Sequence, residues 1–235
     1  MQLAALIFDV DGTLAETEEL HRRAFNETFA AHGYDWHWSR DLYGRLLKVT
    51  GGKERLRVWV DDIGHAATDR DLAALHREKT ERFVVLLSSG TLELRPGVAR
   101  IIEEARVTGL RLAIATTTSP ANVEALARSV WKRPANDVFE VIAAGDEVDH
   151  KKPAPDVYHL ALRRLGLSAQ AVLAFEDSSN GLRSAIAAGL RTVVTPSIYT
   201  LEDDFTRADV ILPDLAAFDP FDWQATNTAA DADGG

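Results

Sequence analysis

Six short apolar runs, mostly separated by segments of helical length, constrain this chain more than anything else in it. They are Leu3–Phe8, Leu110–Thr116, Phe139–Ala144, Ala171–Phe175, Thr192–Thr195 and Val210–Leu212. Between them lie a segment opened by Pro96 and closed by Gly109, one capped by Ser119-Pro120 and running to Trp131, one from Pro155 to Gly166, and one from Ser179 to Ala188 stopped by Gly189. Strands joined by helices of this length need right-handed crossovers and therefore form a parallel sheet. The expected fold class is α/β, a doubly wound parallel sheet. Residues 17–89 break the pattern, with helical spacing and no strand signal. Ala15–His32 puts Leu20, Ala24, Phe25, Thr28 and Phe29 on one face, and Asp69–Leu87 does the same with Leu72, Leu75, Phe83 and Leu86. Helices are also expected from the Ser39 cap to Lys48 and from Thr50-Gly51-Gly52-Lys53 to Ile63. The predicted organisation is a core of residues 1–15 and 90–235 with an all-helical cap, 16–89, inserted just after the first strand. The tail from Asp214 is expected to fray.

That insertion point lies over a conspicuous strand end. Leu3–Phe8 runs into Asp9-Val10-Asp11-Gly12-Thr13. Residues i and i+2 of a strand project to one side, so Asp9 and Asp11 leave the sheet together. Ligands of open parallel sheets bind outside the carboxyl ends of the strands. A polar turn is the plain alternative, and a calcium loop fails because Gly12 is fourth from Asp9 and the twelfth residue is Leu20. Three other strand ends add to the set. Thr116, followed by Thr117, Thr118 and Ser119, offers hydroxyls and helix-start N–H groups to an anionic oxygen. Lys152 follows the third strand, and Glu176-Asp177 ends the fourth. Each alone has a bland reading, a helix cap or a surface lysine. Together they converge carboxylates that repel unless a cation lies among them. The sequence holds no Cys, and oxygen-only ligands favour Mg²⁺. A cation and a lysine facing a carboxylate suit phosphoryl transfer.

At 235 residues with a formal net charge of −10, the chain is an unfavourable partner for nucleic acid or an anionic membrane. No run reaches membrane-spanning length and none resembles a leader, so a cytoplasmic location is expected, with a monomer as the default. Against that acidity, Tyr43–Arg57 is basic. Gly51-Gly52-Lys53 lacks the earlier glycine and the Ser/Thr of a Walker loop, but it can present N–H groups to an anion at a helix start. Arg45 and Lys53, with Tyr43, Thr50, Gly51 and Gly52, are expected to form a second phosphate site; Arg57 is expected to pair with nearby acids instead. Glu16 and His21 are candidates for sugar-hydroxyl contacts or for a place near Asp11. Trp36 and Trp38 read as core of the helical block. Charge and spacing thus point to a small, doubly anionic sugar phosphate.

These stretches resemble the haloacid dehalogenase superfamily of phosphotransferases: Asp9-Val10-Asp11-Gly12-Thr13, Thr116, Lys152 and Glu176-Asp177 match its four motifs. The resemblance implies Asp9 as nucleophile, Asp11 as general acid and base, Thr116 as phosphoryl donor and Lys152 as charge partner. It also implies Mg²⁺ held by Asp9, the Asp11 carbonyl and Asp177, with Glu176 behind. His21–Asn26, Trp36-His37-Trp38, Leu42-Tyr43 and Val49–Arg55 further resemble the CbbY proteins of Calvin-cycle operons. That likeness implies hydrolysis of xylulose 1,5-bisphosphate, a rubisco inhibitor, to xylulose 5-phosphate. A β-phosphoglucomutase-like enzyme and a non-catalytic rubisco-associated binding protein are the competing expectations.

Overall fold

The computed structural model describes residues 2–90 and 92–221. Six parallel strands, β1 (Ala5–Phe8), β2 (Arg111–Thr116), β3 (Val141–Ala144), β4 (Val172–Glu176), β5 (Arg191–Val194) and β6 (Val210–Ile211), form one sheet in the order β3-β2-β1-β4-β5-β6. β1 is central, so its carboxyl end opens into the middle of the sheet edge. Leu6 and Phe8 point to one face, where they pack with Ile101 and Ile102 of α5 (Val98–Thr108) and Val123 and Leu126 of α6 (Pro120–Val130). Ala5 and Ile7 point to the other, against Val157, Tyr158 and Ala161 of α7 (Asp156–Leu165) and Ala185 of α8 (Ser179–Ala187). Strands buried on both faces read as continuous apolar runs, which is why the sequence marks them without alternation.

Between β1 and α5 come four helices: α1 (Glu18–Ala31), α2 (Arg40–Leu46), α3 (Gly52–Asp62) and α4 (Asp69–Ser89). They enclose their own core of Phe25, Phe29, Trp38, Tyr43, Leu56, Val60, Leu72 and Leu75, with Trp36 packed at its edge. The second half of α4 instead joins the sheet's core through Phe83, Leu86 and Leu87. The insert is therefore seated on the sheet by one long helix. Its two chain crossings are tied together: Arg95 N–H donates to Leu14 O (2.8 Å), while its guanidinium donates to Gly12 O, Thr195 O (2.7 Å) and Pro196 O (2.8 Å).

Two local expectations change. Pro96 does not start α5; the helix begins at Val98 after Gly97, which adopts φ +86°. A Cβ on Gly97 would lie 2.0 Å from Leu215 O, so the turn is shaped by the chain packed over it. For the same reason the tail is not frayed from Asp214 onward. Leu215 is buried, its N–H donates to Pro96 O (3.0 Å), and Arg100 donates to Phe218 O (2.5 Å). The Ala/Asp/Gly-rich remainder, 222–235, lies outside the described residues. Among the described residues no helix is long and apolar enough to cross a membrane.

Candidate active site

Sheet register assembles the site. Phe8 is paired with Ile114 and with Phe175, so Asp9 stands level with Ala115 on one side and Glu176 on the other. Lys152 reaches in from beyond β3 and spends all three ammonium hydrogens there. It donates to Asp9 Oδ1 (2.7 Å), Glu176 Oε1 (2.7 Å) and Ala115 O (2.9 Å). Tyr158 OH donates to the same Glu176 oxygen (2.5 Å), leaving Glu176 Oε2 buried without a partner. Asp177 lies across the opening, its Oδ2 so close to Gly12 that a Cβ there would sit 2.2 Å away. Gly12 also adopts φ +82°, so both the turn and the close approach require glycine.

Asp9, Glu176 and Asp177 each place one oxygen within 4.8 Å of the others. All three are buried. Burial pushes Asp9 up to about 7 against the opposing pull of Lys152. Burial, with Asp9 and Glu176 nearby, pushes Asp177 well above the carboxylate range. One lysine does not balance three buried carboxylates, and one Glu176 oxygen is left without a partner. The donor set fits a hard divalent cation such as Mg²⁺.

Asp11 sits apart from this cluster, on the side of the insert. Thr17 Oγ1 donates to its Oδ1 (2.5 Å), and His21 Nε2 lies 3.1 Å from the same oxygen. Lys79 Nζ stands 2.7 Å from His21 Nδ1. With Lys79 as an ammonium donor, Nδ1 accepts, so Nε2 carries the proton that bonds Asp11. Burial alone would raise Asp11, but His21 and Thr17 hold it well below the usual range. Lys79 pays for its burial: it is pushed down to about 7, with Asp11 opposing the shift. His21 stacks on Phe83 (3.8 Å between centroids), which fixes the ring.

Over these residues the insert and the sheet edge enclose a pocket of about 570 Å³. Its sheet-side wall includes Asp9, Asp11, Lys152 and Asp177 with Thr116, Thr117 and Thr118. Thr116 Oγ1 accepts from Thr118 N–H (3.3 Å), which orients the hydroxyl at the strand end. Its other wall carries Thr50, Gly51, Gly52 and Lys53 together with Lys48, Arg55 and Lys79. Lys53 pairs with Asp146 of the sheet side (2.6 Å), and Asn180 donates to Thr50 Oγ1 (2.9 Å) and Lys48 O (3.1 Å). These bonds hold the insert down on the sheet.

Three expected contacts lie off the pocket wall. Arg45 is exposed on the outer side of α2. Tyr43 is fully buried behind the wall, where its OH donates to Glu18 Oε2 (2.7 Å) and accepts from Arg55 (3.0 Å). Glu16 turns toward Arg95, 3.6 Å away. Arg57 pairs with Asp69 (2.6 Å) and Asp61 (3.4 Å), as its neighbours in sequence suggest. Lys79, Arg55, Tyr158 and His76 were not foreseen.

A doubly wound core, a buried acidic triad shared with one lysine, and a lid of helices over the strand ends define the class, an enzyme that acts on phosphate esters. The family model for haloacid dehalogenase-like hydrolases matches residues 3–189, and the chain belongs to that family. It is 60% identical to protein CbbY of Rhodobacter capsulatus over 217 residues, 92% of this chain and 96% of that protein. The crystal structure of a CbbY variant from Rhodobacter sphaeroides in complex with xylulose 1,5-bisphosphate superposes with a TM-score of 0.88 at 53% identity, covering 92% of this chain and 96% of that one. A β-phosphoglucomutase from Clostridium difficile, at 18% identity and a TM-score of 0.80 over 98% of this chain and all of that one, shares the fold.

Proposed function

We propose that the chain is a Mg²⁺-dependent sugar-bisphosphate phosphatase that converts xylulose 1,5-bisphosphate to xylulose 5-phosphate and phosphate, sparing rubisco an inhibitor. The observation that carries this reading is the polarity of the pocket. A buried carboxylate cluster and Lys152 line its sheet side, and Lys48, Lys53 and Arg55 line the opposite wall. One phosphate is thereby presented to Asp9 and another is anchored at a distance. The likeness to a protein crystallised with that bisphosphate supports the particular sugar. Residues 16–89 form the cap that selects the substrate, and residues 1–15 and 90–235 form the catalytic core.

Asp9, Asp177 and Glu176 would hold Mg²⁺, joined by the Asp11 carbonyl. The ion supplies neutralisation of charge between nucleophile and phosphate. Asp9 attacks phosphorus, the ester oxygen departs with a proton from Asp11, and an aspartyl-phosphate forms. Water then attacks this acyl phosphate, gives its proton to Asp11, and releases Asp9 and inorganic phosphate. In the empty pocket Asp11 is a carboxylate, the form needed for the second half. A phosphate dianion beside it opposes that charge and favours the protonated form needed for the first. Lys152 stabilises charge on Asp9 and on the phosphoryl oxygens, and Thr116 donates to one of those oxygens. Closing the cap shuts out bulk water until the sugar leaves.

Mg²⁺-dependent phosphate release from a panel of sugar mono- and bisphosphates, with Asp9→Asn as control, tests the reading. One phosphate released from xylulose 1,5-bisphosphate, strongly preferred over ribulose 1,5-bisphosphate, is the expected result. Preference for a monophosphate would remove the two-anchor account. Interconversion of hexose phosphates without net release would make the chain a mutase.

A further inference from the structure

One pocket residue is unused by this chemistry. His76 lies on α4, one helical turn before Lys79, and its ring faces the pocket beside the start of α3. The contact is intimate: a Cβ on Gly52 would lie 2.4 Å from His76 Nε2 and 2.9 Å from Cδ2. Only glycine at the first position of α3 lets the imidazole rest on that helix end. Phe25 backs the ring from inside the insert, centroids 6.4 Å apart. Among the described residues neither ring nitrogen has a hydrogen-bond partner, although the ring is mostly buried.

The charges around it are mostly positive. Lys79 faces it from its own helix and Lys53 from α3, with His21 beside them on α1, while Asp146 faces it from the loop after β3 and the Glu54 carboxylate lies against Gly51 at the start of α3. Asp146 is already shared by Lys53 and Lys151 (3.1 Å). Burial and the lysines push His76 down to about 3, so near neutrality the ring is uncharged and carries one N–H. That N–H has no protein acceptor among the described residues, and the flanking lysines repel any cation that approaches. The acceptor that fits is an anionic oxygen, placed beside the α3 start, whose Gly51 cap makes no side-chain hydrogen bond.

We propose that His76 is a specificity-determining residue that donates a hydrogen bond to the substrate's cap-side phosphate. The inference rests on the two-phosphate reading given above. It gives the Gly51-Gly52-Lys53 start of α3 a second, side-chain donor supplied from 24 residues downstream. Lys53 brings the charge; His76 brings direction, since a neutral imidazole bonds along one line while an ammonium attracts from any side. A dianion arriving there reverses the local field, so the ring's proton affinity rises on binding.

The test uses His76→Ala and His76→Gln in the full chain with Mg²⁺. A hydrogen bond to a charged partner is worth roughly 10- to 100-fold in binding. His76→Ala should raise KM for xylulose 1,5-bisphosphate by that factor with kcat changed less than about threefold. Its kcat/KM for xylulose 1-phosphate, which lacks the distal group, should fall far less. His76→Gln, which keeps an N–H donor, should recover most of the loss. Equal losses on both substrates, or no change in KM, would overturn the proposal. A second readout needs no turnover: the imidazole resonance missing from His76→Gln should shift saturably when inorganic phosphate is titrated into the wild-type protein without Mg²⁺. A resonance that stays put overturns the contact. If it moves while the wild type shows no preference for bisphosphates, the anion contact stands and the substrate reading falls.

Discussion

Lys152→Met is the perturbation that tests the centre of the site most directly. The ammonium makes three hydrogen bonds, two of them to carboxylates buried against the sheet edge. Methionine keeps the stem and its packing while deleting the charge. Removing one partner of a buried ion pair costs about 3–5 kcal/mol, because the remaining charge is left unpaired. For a chain of this size each kcal/mol moves Tm by roughly 2–4 °C. The variant should therefore melt about 6–20 °C lower than the wild type in EDTA. Saturating Mg²⁺ should recover part of that, about 2.7 kcal/mol at a hundredfold excess over Kd. Scanning calorimetry with EDTA and with Mg²⁺ reads both numbers, and phosphate release should fall by two orders of magnitude or more. Adding Glu176→Gln to Lys152→Met should restore stability in EDTA, since it removes one of the stranded charges. If the single variant melts with the wild type in EDTA, or the double variant is less stable still, charge balance is not what Lys152 provides.

Two further outcomes follow from the same packing. Lys79 is depressed to about 7 in the folded chain from its ordinary 10.5. Between those values the unfolded chain binds the extra proton, so stability should rise with pH from about 7 to 10.5, by at most about 1.4 kcal/mol per unit. Denaturant titrations across that range should show the rise in the wild type and its absence in Lys79→Met. Gly181→Ala should destabilise, although alanine at a helix interior ordinarily gains about 1 kcal/mol over glycine. The new Cβ would lie 1.9 Å from Glu176 Oε2, so Mg²⁺ affinity measured by calorimetry should fall with the melting temperature. A variant that is both more stable and unchanged in Mg²⁺ affinity would refute the contact.

The sheet-side chemistry was legible because strand ends advertise themselves. Asp9, Thr116 and Glu176 stand where an apolar run stops, and a parallel sheet sends all such ends to one edge. The opposite wall was harder, because its residues come from helix faces, where direction depends on phase. Tyr43 and Arg45 are two positions apart on α2, about 200° around the helix. Once Tyr43 buries, Arg45 must face outward, and the basic composition of the stretch says nothing of this. Lys79 left a readable signal: it occupies the apolar stripe of α4 between Leu75 and Phe83, a charged residue where the period demands a buried one. His21 does the same on α1. Tyr158 and His76 left none, since an aromatic or a histidine on a helix face fits a core equally well.

The Arg95 tie at the neck of the insert has a consequence for how such enzymes diversify. The chain leaves the sheet at Leu14 and returns at Arg95, and those two points are bonded to each other as well as to the turn after Asp9 and the loop after β5. Whatever is strung between them hangs from one fixed handle. Helices there can be lengthened, rotated or exchanged without moving the strand ends, so selection for a new sugar can act on the lid while the cleavage chemistry below is inherited unchanged.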